Sequence, residues 1–114
     1  GQSIERAQKN SDAILERLKA RNLPILLAGM RASRSLGDDY ANAFDRIYPD
    51  LAQKHGVLLY PFLLDGVVLD PKLNQPDGIH PTAEGIRLIA ERMLPFVEQL
   101  AARASKQRVG AAKQ

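Results

Sequence analysis

The pattern of apolar positions along the chain predicts helices and strands in alternation. Between residues 3 and 21, apolar residues recur at three- and four-residue spacing, which predicts a helix with one buried stripe. The run from Pro24 to Met30 is almost wholly apolar, as is typical of a strand covered on both faces in a parallel sheet. The predicted stripe of the first helix consists of Ile4, Ala7, Ser11, Ile14, Leu15 and Leu18.

The middle of the chain repeats this alternation. A polar loop at residues 31–39 precedes a second predicted helix, which ends at Gly56. Residues 57–60 predict a second buried strand, and a long loop rich in proline and glycine turns extends to residue 81. The apolar positions of the second helix are Tyr40, Phe44, Ile47, Tyr48 and Leu51.

The last predicted helix begins around Pro81 and Thr82, because the fixed φ of proline suits a first helical turn. Pro95 removes a backbone hydrogen bond to Glu91 and is expected to kink or split this helix. The order of elements predicts an α/β fold with a parallel sheet. Two strands leave both sheet edges open, so we expect further strands outside this sequence. The predicted inner face comprises Ile86, Ile89, Ala90, Met93, Phe96, Val97 and Leu100.

Composition narrows the class of protein. The 114 residues fit one domain, and 45% hydrophobic with 25% charged residues is typical of a globular chain. The absence of cysteine excludes a disulfide scaffold and a thiolate metal site. No apolar run is long enough for a transmembrane segment, and the first residues show no signal-peptide pattern.

The net charge of +3 comes from the end of the chain. Without Arg103, Lys106, Arg108 and Lys113, 12 basic residues face 13 acidic ones. We therefore predict a folded part at residues 1–102 and a basic, flexible tail at residues 103–114. Because the folded part has no basic excess, nucleic-acid binding is not expected.

Asp77 and His80 are the main candidates for chemistry. They lie three residues apart in a glycine- and proline-shaped turn before a helix, where local geometry can hold them together. A histidine that acts as a general base uses a carboxylate to orient its second ring nitrogen. The bare pair also fits an alternative interpretation, in which Asp77 caps its own turn and His80 merely enters the helix.

The remaining candidates favour structural roles. His55 at a helix end suits the helix dipole, and Arg31, beyond the first strand, is either a surface arginine or a ligand for a carboxylate or phosphate. The loop residues Asp65, Asp70 and Asp77 match no calcium or zinc spacing, so no metal site is predicted.

The run Asp77-Gly78-Ile79-His80-Pro81, followed by Gly85 and an amphipathic helix, resembles the C-terminal block of the SGNH, or GDSL, serine hydrolases. Residues 26–31, 40–44, 47–49 and 59–62 resemble the bacterial arylesterase, lysophospholipase and acyl-CoA thioesterase I branch of that family. The resemblance covers roughly residues 3 to 100.

The resemblance implies the C-terminal portion of a flavodoxin-like three-layer α/β/α sandwich that hydrolyses small acyl esters or thioesters with a Ser-Asp-His triad. Asp77 and His80 match the family's catalytic Asp and His, and Met30, Arg31, Ala32 and Ile79 match positions that line its acyl pocket. Relatives often have prolines in the loop where this sequence has residues 32–35. The resemblance implies no cofactor, and it implies export to the periplasm or medium.

The family's Gly-Asp-Ser nucleophile block and its oxyanion Gly and Asn blocks do not occur in this sequence. We therefore expect the N-terminal portion of the same enzyme, in a separate chain or a swapped copy, to complete the site, and the chain alone to be inactive. The alternative is a non-enzymatic α/β module that pairs its strands with a partner or with itself.

Overall fold

Three helices and two parallel strands form the part of the chain that the structure, a computed structural model, describes, which is residues 3–112. The predicted α/β class and the order of elements are confirmed. Gly1, Gln2, Lys113 and Gln114, which belong to the predicted segments at the two ends, lie outside the described residues. The elements are α1 (Ile4–Ala20), β1 (Leu26–Ala28), α2 (Asp38–His55), β2 (Leu58–Tyr60) and α3 (Ala83–Ala112), with a short 3-10 helix at Arg34–Leu36 in the loop predicted after β1.

The ends of the first two helices follow from local chemistry. The Ser3 hydroxyl accepts a hydrogen bond from the backbone N–H of Arg6 and caps α1. Gly56 ends α2 with φ +65°, a left-handed conformation that glycine adopts without strain. The sequence boundaries of both helices are therefore confirmed to within two residues.

The hydrophobic core lies between α1 and α2. Leu15 packs there against Ile47 and Leu51, and the apolar side chains around them include Ile25 and Leu27 from β1 and its approach. Ile14, which the periodicity assigned to the same stripe as Leu15, is instead 58% exposed. That prediction is wrong for Ile14 because none of the described elements covers its side of α1.

The two strands are short and only half-buried. They pair in parallel, with Leu26 opposite Leu58 and Ala28 opposite Tyr60. Among the six strand residues only Tyr60 is buried, so the prediction of strands covered on both faces is wrong for this chain. Gly29 allows the strand ends to lie close together, since a Cβ at this position would lie 2.3 Å from the Pro61 carbonyl oxygen.

Helix α3 continues through Pro95 to Ala112, so the predicted split does not occur. It packs on the sheet through Phe96, whose ring meets the edge of the Tyr60 ring at 5.0 Å. Ile86, Ala90 and Val97, three residues of the predicted inner face, are exposed, and Gly85 alone in this helix is buried. Residues 103–112 of the predicted tail form the last turns of α3; its flexibility stays a prediction.

The described molecule is thin and open. Its radius of gyration is 16.4 Å, with extents of 53 × 33 × 16 Å, whereas about 13 Å is expected for a compact chain of this length. Its accessible surface is 8082 Å², against about 6,200 Å² from the scaling for a compact 12.6 kDa protein.

Among residues 3–112, no helix has both the length and the apolar character to cross a membrane.

Candidate active site

A closed loop positions the two candidate catalytic residues. Asn74 and Pro81 form an antiparallel bridge, and the Gln75 N–H donates to the His80 carbonyl oxygen at 2.8 Å. Inside this closure, the Gly78 N–H donates to the Gln75 carbonyl oxygen at 2.9 Å, and Gly78 has φ +68°. The segment between Asn74 and Pro81 is therefore a tight turn whose sharpest bend favours glycine.

Two contacts fix this loop to the rest of the molecule. The buried amide of Asn74 donates to the carbonyl oxygens of Val67 and Asp70 at 2.8 and 2.9 Å. On the other side, the Thr82 hydroxyl accepts from the Gly85 N–H at 3.2 Å and caps α3, which confirms the predicted start of this helix. The loop is thus held between a buried amide and a helix N-terminus.

Asp77 and His80 face each other within this loop. His80 Nδ1 lies 2.6 Å from Asp77 Oδ2, while Asp77 Oδ1 accepts from the backbone N–H groups of Ile79 and His80 at 2.9 and 3.1 Å. The His80 hydrogen bond, followed by these backbone donors, lowers the pKa of Asp77 to about 2. The carboxylate is therefore ionised at neutral pH and orients the imidazole, with the Nδ1 proton on the shared bond.

The same geometry leaves Nε2 of His80 accessible. Its side chain is 68% exposed, and Nε2 has no partner among residues 3–112. An imidazole that is oriented through Nδ1 and open at Nε2 can take a proton from a hydroxyl and return it to a leaving group. The described residues place no serine hydroxyl in hydrogen bond with this nitrogen.

The predicted pocket residues fall into two groups. Ile79 is exposed beside His80. Met30, Arg31 and Ala32 follow β1, where the Arg31 guanidinium lies 5.0 Å from the Phe62 ring centroid. Arg31 lines a cleft of about 370 Å³ that includes neither Ile79 nor His80. The other residues lining this cleft are Tyr60, Pro61, Phe62, Asp65, Arg92 and Phe96.

Asp45 and Asn42, which sequence reasoning missed, hold the loop after β1. Asp45 Oδ1 accepts from the Ala32 N–H at 2.9 Å, and its Oδ2 accepts from Arg34 at 2.5 Å. Asn42 Oδ1 accepts from the same guanidinium at 2.8 Å. The only sequence signal was their three-residue spacing, which places both side chains on one face of α2.

The three loop aspartates have separate partners. Asp65 pairs with Arg92 at 3.0 Å, Asp70 accepts from the Lys72 N–H, and Asp77 holds His80. None of these contacts joins one of the three carboxylates to another.

Comparison with known proteins finds similarity to bacterial esterases and thioesterases, although no family model matches the chain. It is 39% identical over 87 residues to thioesterase 1/protease 1/lysophospholipase L1 of Escherichia coli (strain K12), which covers 76% of this chain and 42% of that protein. A crystal structure of the SGNH-hydrolase family esterase AlinE4 is 43% identical with a TM-score of 0.64, over 85% of this chain and 51% of its own.

A crystal structure of TesA is 29% identical with a TM-score of 0.81, over 88% of this chain and 56% of that chain. These matches lie in the C-terminal portion of the longer proteins. The chain therefore spans about half the length of the relatives it matches.

Proposed function

Because the chain belongs to the SGNH hydrolase family and spans the C-terminal portion of its relatives, we propose that it carries the acid and base half of a serine ester hydrolase. His80 is the general base and Asp77 orients it. The observation that carries this proposal is the hydrogen bond of 2.6 Å between His80 Nδ1 and Asp77 Oδ2, with Nε2 left open.

In the proposed reaction, His80 Nε2 takes the proton of a serine hydroxyl supplied by the N-terminal portion of the enzyme. The serine oxygen attacks the acyl carbon of an ester or thioester, and His80 then gives the proton to the leaving alcohol or thiol. In the second half, His80 activates a water molecule that releases the acid. Asp77 stays ionised throughout and stabilises the imidazolium.

The acyl group is proposed to lie between Ile79 and the segment Met30–Ala32. Ile79 offers an exposed apolar side chain next to His80, and Asp45 fixes the backbone of Ala32. Ile79 and the segment Met30–Ala32 line no common cleft among the described residues. We therefore propose that the acyl pocket forms only when the N-terminal portion is in place.

We propose that the completed domain is a flavodoxin-like sandwich with helices on both faces of its sheet. Side chains alternate along a strand, so neighbouring positions point to opposite faces. Leu27 packs in the α1–α2 core, whereas Tyr60, one register position further along the sheet, meets Phe96 of α3. The half-buried strands and the open surface of α3 are the surfaces that the N-terminal portion would cover.

The catalytic assignment is tested with a chimera. The N-terminal portion of the Escherichia coli relative, fused in front of this chain, is assayed with p-nitrophenyl butyrate. We expect hydrolysis that falls roughly 10⁴-fold or more in His80→Ala and in Asp77→Asn, because triad members act as a unit. Asp70→Asn is the matched control, since this carboxylate also lies in the loop but has no histidine partner, and it should retain near-full activity.

Hydrolysis that survives His80→Ala would contradict the assignment. The unfused chain should hydrolyse no ester, because the nucleophile and the oxyanion donors are proposed to lie outside it.

The second candidate, a non-enzymatic module, is favoured by the same exposed apolar surface, which a partner or a second copy could cover. Size-exclusion chromatography of the unfused chain distinguishes the two. A stable dimer, together with a chimera inactive toward esters, would favour the module.

A further inference from the structure

A buried histidine joins α1 to α2 outside the candidate active site loop. The side chain of His55 is 1% exposed, and its Nε2 lies 2.7 Å from Asp12 Oδ1. Lys54 Nζ lies 2.9 Å from the same oxygen. Asp12 is held ionised by these two hydrogen bonds, which lower its pKa, the Lys54 bond more strongly.

The second ring nitrogen of His55 is buried and has no hydrogen-bond partner among residues 3–112. A carboxylate can only accept, so in the neutral imidazole the bond to Asp12 places the ring proton on Nε2 and leaves a lone pair on Nδ1. Glu16 Oε1, a second acceptor, lies 3.4 Å from this nitrogen. A buried acceptor nitrogen that faces a carboxylate oxygen is unfavourable unless a cation lies between the two atoms.

We propose that the cluster of Asp12, Glu16 and His55 binds a divalent transition-metal ion of the Zn²⁺ class. His55 Nδ1 and Glu16 are the direct ligands, and Asp12 holds the imidazole from behind. Imidazole nitrogen and carboxylate oxygen both bind Zn²⁺ at about 2.0–2.1 Å, and tetrahedral geometry then separates two ligand atoms by about 3.4 Å. The Nδ1–Oε1 distance of 3.4 Å matches this separation.

The surroundings suit such a site. A histidine that binds metal commonly donates its other N–H to a carboxylate, as His55 does to Asp12. One ligand atom from each of the three residues lies within 4.8 Å of the others. Glu16 is 62% exposed and gives an ion a route from solvent, while water would complete the coordination. Lys54 is already paired with Asp12, so the ion is assigned to the Glu16 side of the ring.

The experiment uses the full 114-residue chain with ¹⁵N-labelled histidine. The chain has two histidines, His55 and His80, so the His80→Gln variant leaves only the two ring-nitrogen resonances of His55. Without metal, these resonances should show a proton on Nε2 and none on Nδ1. Addition of Zn²⁺ should shift the Nδ1 resonance of His55 and raise the melting temperature, and EDTA should reverse both changes.

Glu16→Gln tests the ligand directly, since its exposed side chain can change without disturbing the core. We expect its Zn²⁺ affinity, measured by calorimetry, to fall roughly tenfold or more. Glu5→Gln, which removes an exposed carboxylate in the first turn of the same helix, should leave the affinity unchanged.

Three results would overturn the proposal. The first is a Zn²⁺ titration that leaves the Nδ1 resonance and the melting temperature unchanged. The second is equal Zn²⁺ affinity in Glu16→Gln and the parent chain. The third is a proton on Nδ1 at neutral pH without metal, which would make the cluster an ion pair between an imidazolium and two carboxylates.

Discussion

At the scale of single residues, the sequence predicts a contact between two side chains only when they lie close together along the chain. A three-residue turn limits how far apart Asp77 and His80 can lie, the resemblance to the SGNH family implied their catalytic roles, and the structure places them in contact at 2.6 Å. The contact between Asp12 and His55 joins residues 43 positions apart. It depends on how α1 packs against α2, and no local pattern carries that information.

The ionisation of Asp77 gives a prediction at this scale. The pKa of Asp77 is lowered to about 2, and the His80 hydrogen bond is the largest cause. Since this value lies below that of an unfolded aspartate, about 3.9, the pair stabilises the folded chain fully above about pH 4. That contribution is lost as the pH falls through about 2.

His80→Ala should raise the pKa of Asp77 toward its ordinary range, without reaching it, because the backbone donors remain. The side-chain carboxyl carbon of Asp77, followed by NMR against pH, reports this directly. Ile79→Ala is the control, since its backbone N–H still donates to Asp77. A pKa of Asp77 that is the same with and without His80 would show that the hydrogen bond has no role.

At the scale of elements, periodicity predicted the three α-helices and the two strands of the described residues, but neither the 3-10 helix at Arg34–Leu36 nor how far each element would be buried. Helix boundaries depend on caps that are local, such as Ser3 and Gly56. Burial depends on neighbours, and Ile14 and Ile86 are exposed because the described elements do not reach them. Pro95 was expected to kink or split α3; the helix is not split, because proline removes one backbone donor without preventing the turns on either side.

Two glycines of α3 give a matched pair of predictions. A Cβ at Gly85 would lie 2.3 Å from the Leu73 carbonyl oxygen, a backbone atom at the base of the candidate site loop. A Cβ at Gly110 would meet no atom of the described residues within 4 Å. Both substitutions to alanine gain helix propensity, but only Gly85→Ala must displace backbone.

We therefore expect Gly85→Ala to lower the free energy of unfolding by about 1–3 kcal/mol and Gly110→Ala to raise it by about 0.5–1 kcal/mol. Urea unfolding of the chain measures both. If Gly85→Ala were as stable as Gly110→Ala, the close approach of α3 to residue 73 would not be a constraint.

At the scale of the whole molecule, the strand pattern predicts further strands outside this sequence, and that stays a prediction; the exposed apolar surface of the described residues supports it. Leu94 and Val97 are 53% and 44% exposed, although they lie on the helix that carries Phe96 onto the sheet. A chain that folded this sheet as a finished unit would be expected to bury more of them. The number and order of further strands could not be predicted, because nothing in these residues encodes them.

This exposed surface of α3 leads to a prediction that distinguishes a specific interface from non-specific hydrophobic association. Leu94→Gln and Val97→Gln should each weaken association with a separately produced N-terminal portion about tenfold or more, because each removes an apolar side chain worth roughly 1.5–3 kcal/mol when buried. The stability of the chain alone should change by no more than about 0.5 kcal/mol, as is usual for exposed positions.

Val109→Gln is the control, since Val109 is 52% exposed on the same helix but lies beyond the region that resembles the family. Calorimetric titration of the N-terminal portion into each variant measures the affinity. A loss in Val109→Gln equal to that in Leu94→Gln would mean that association depends on overall hydrophobicity, and the proposed interface would have to be moved. A loss confined to Leu94 and Val97 would place the interface on the part of α3 beside Phe96, where the sheet is open.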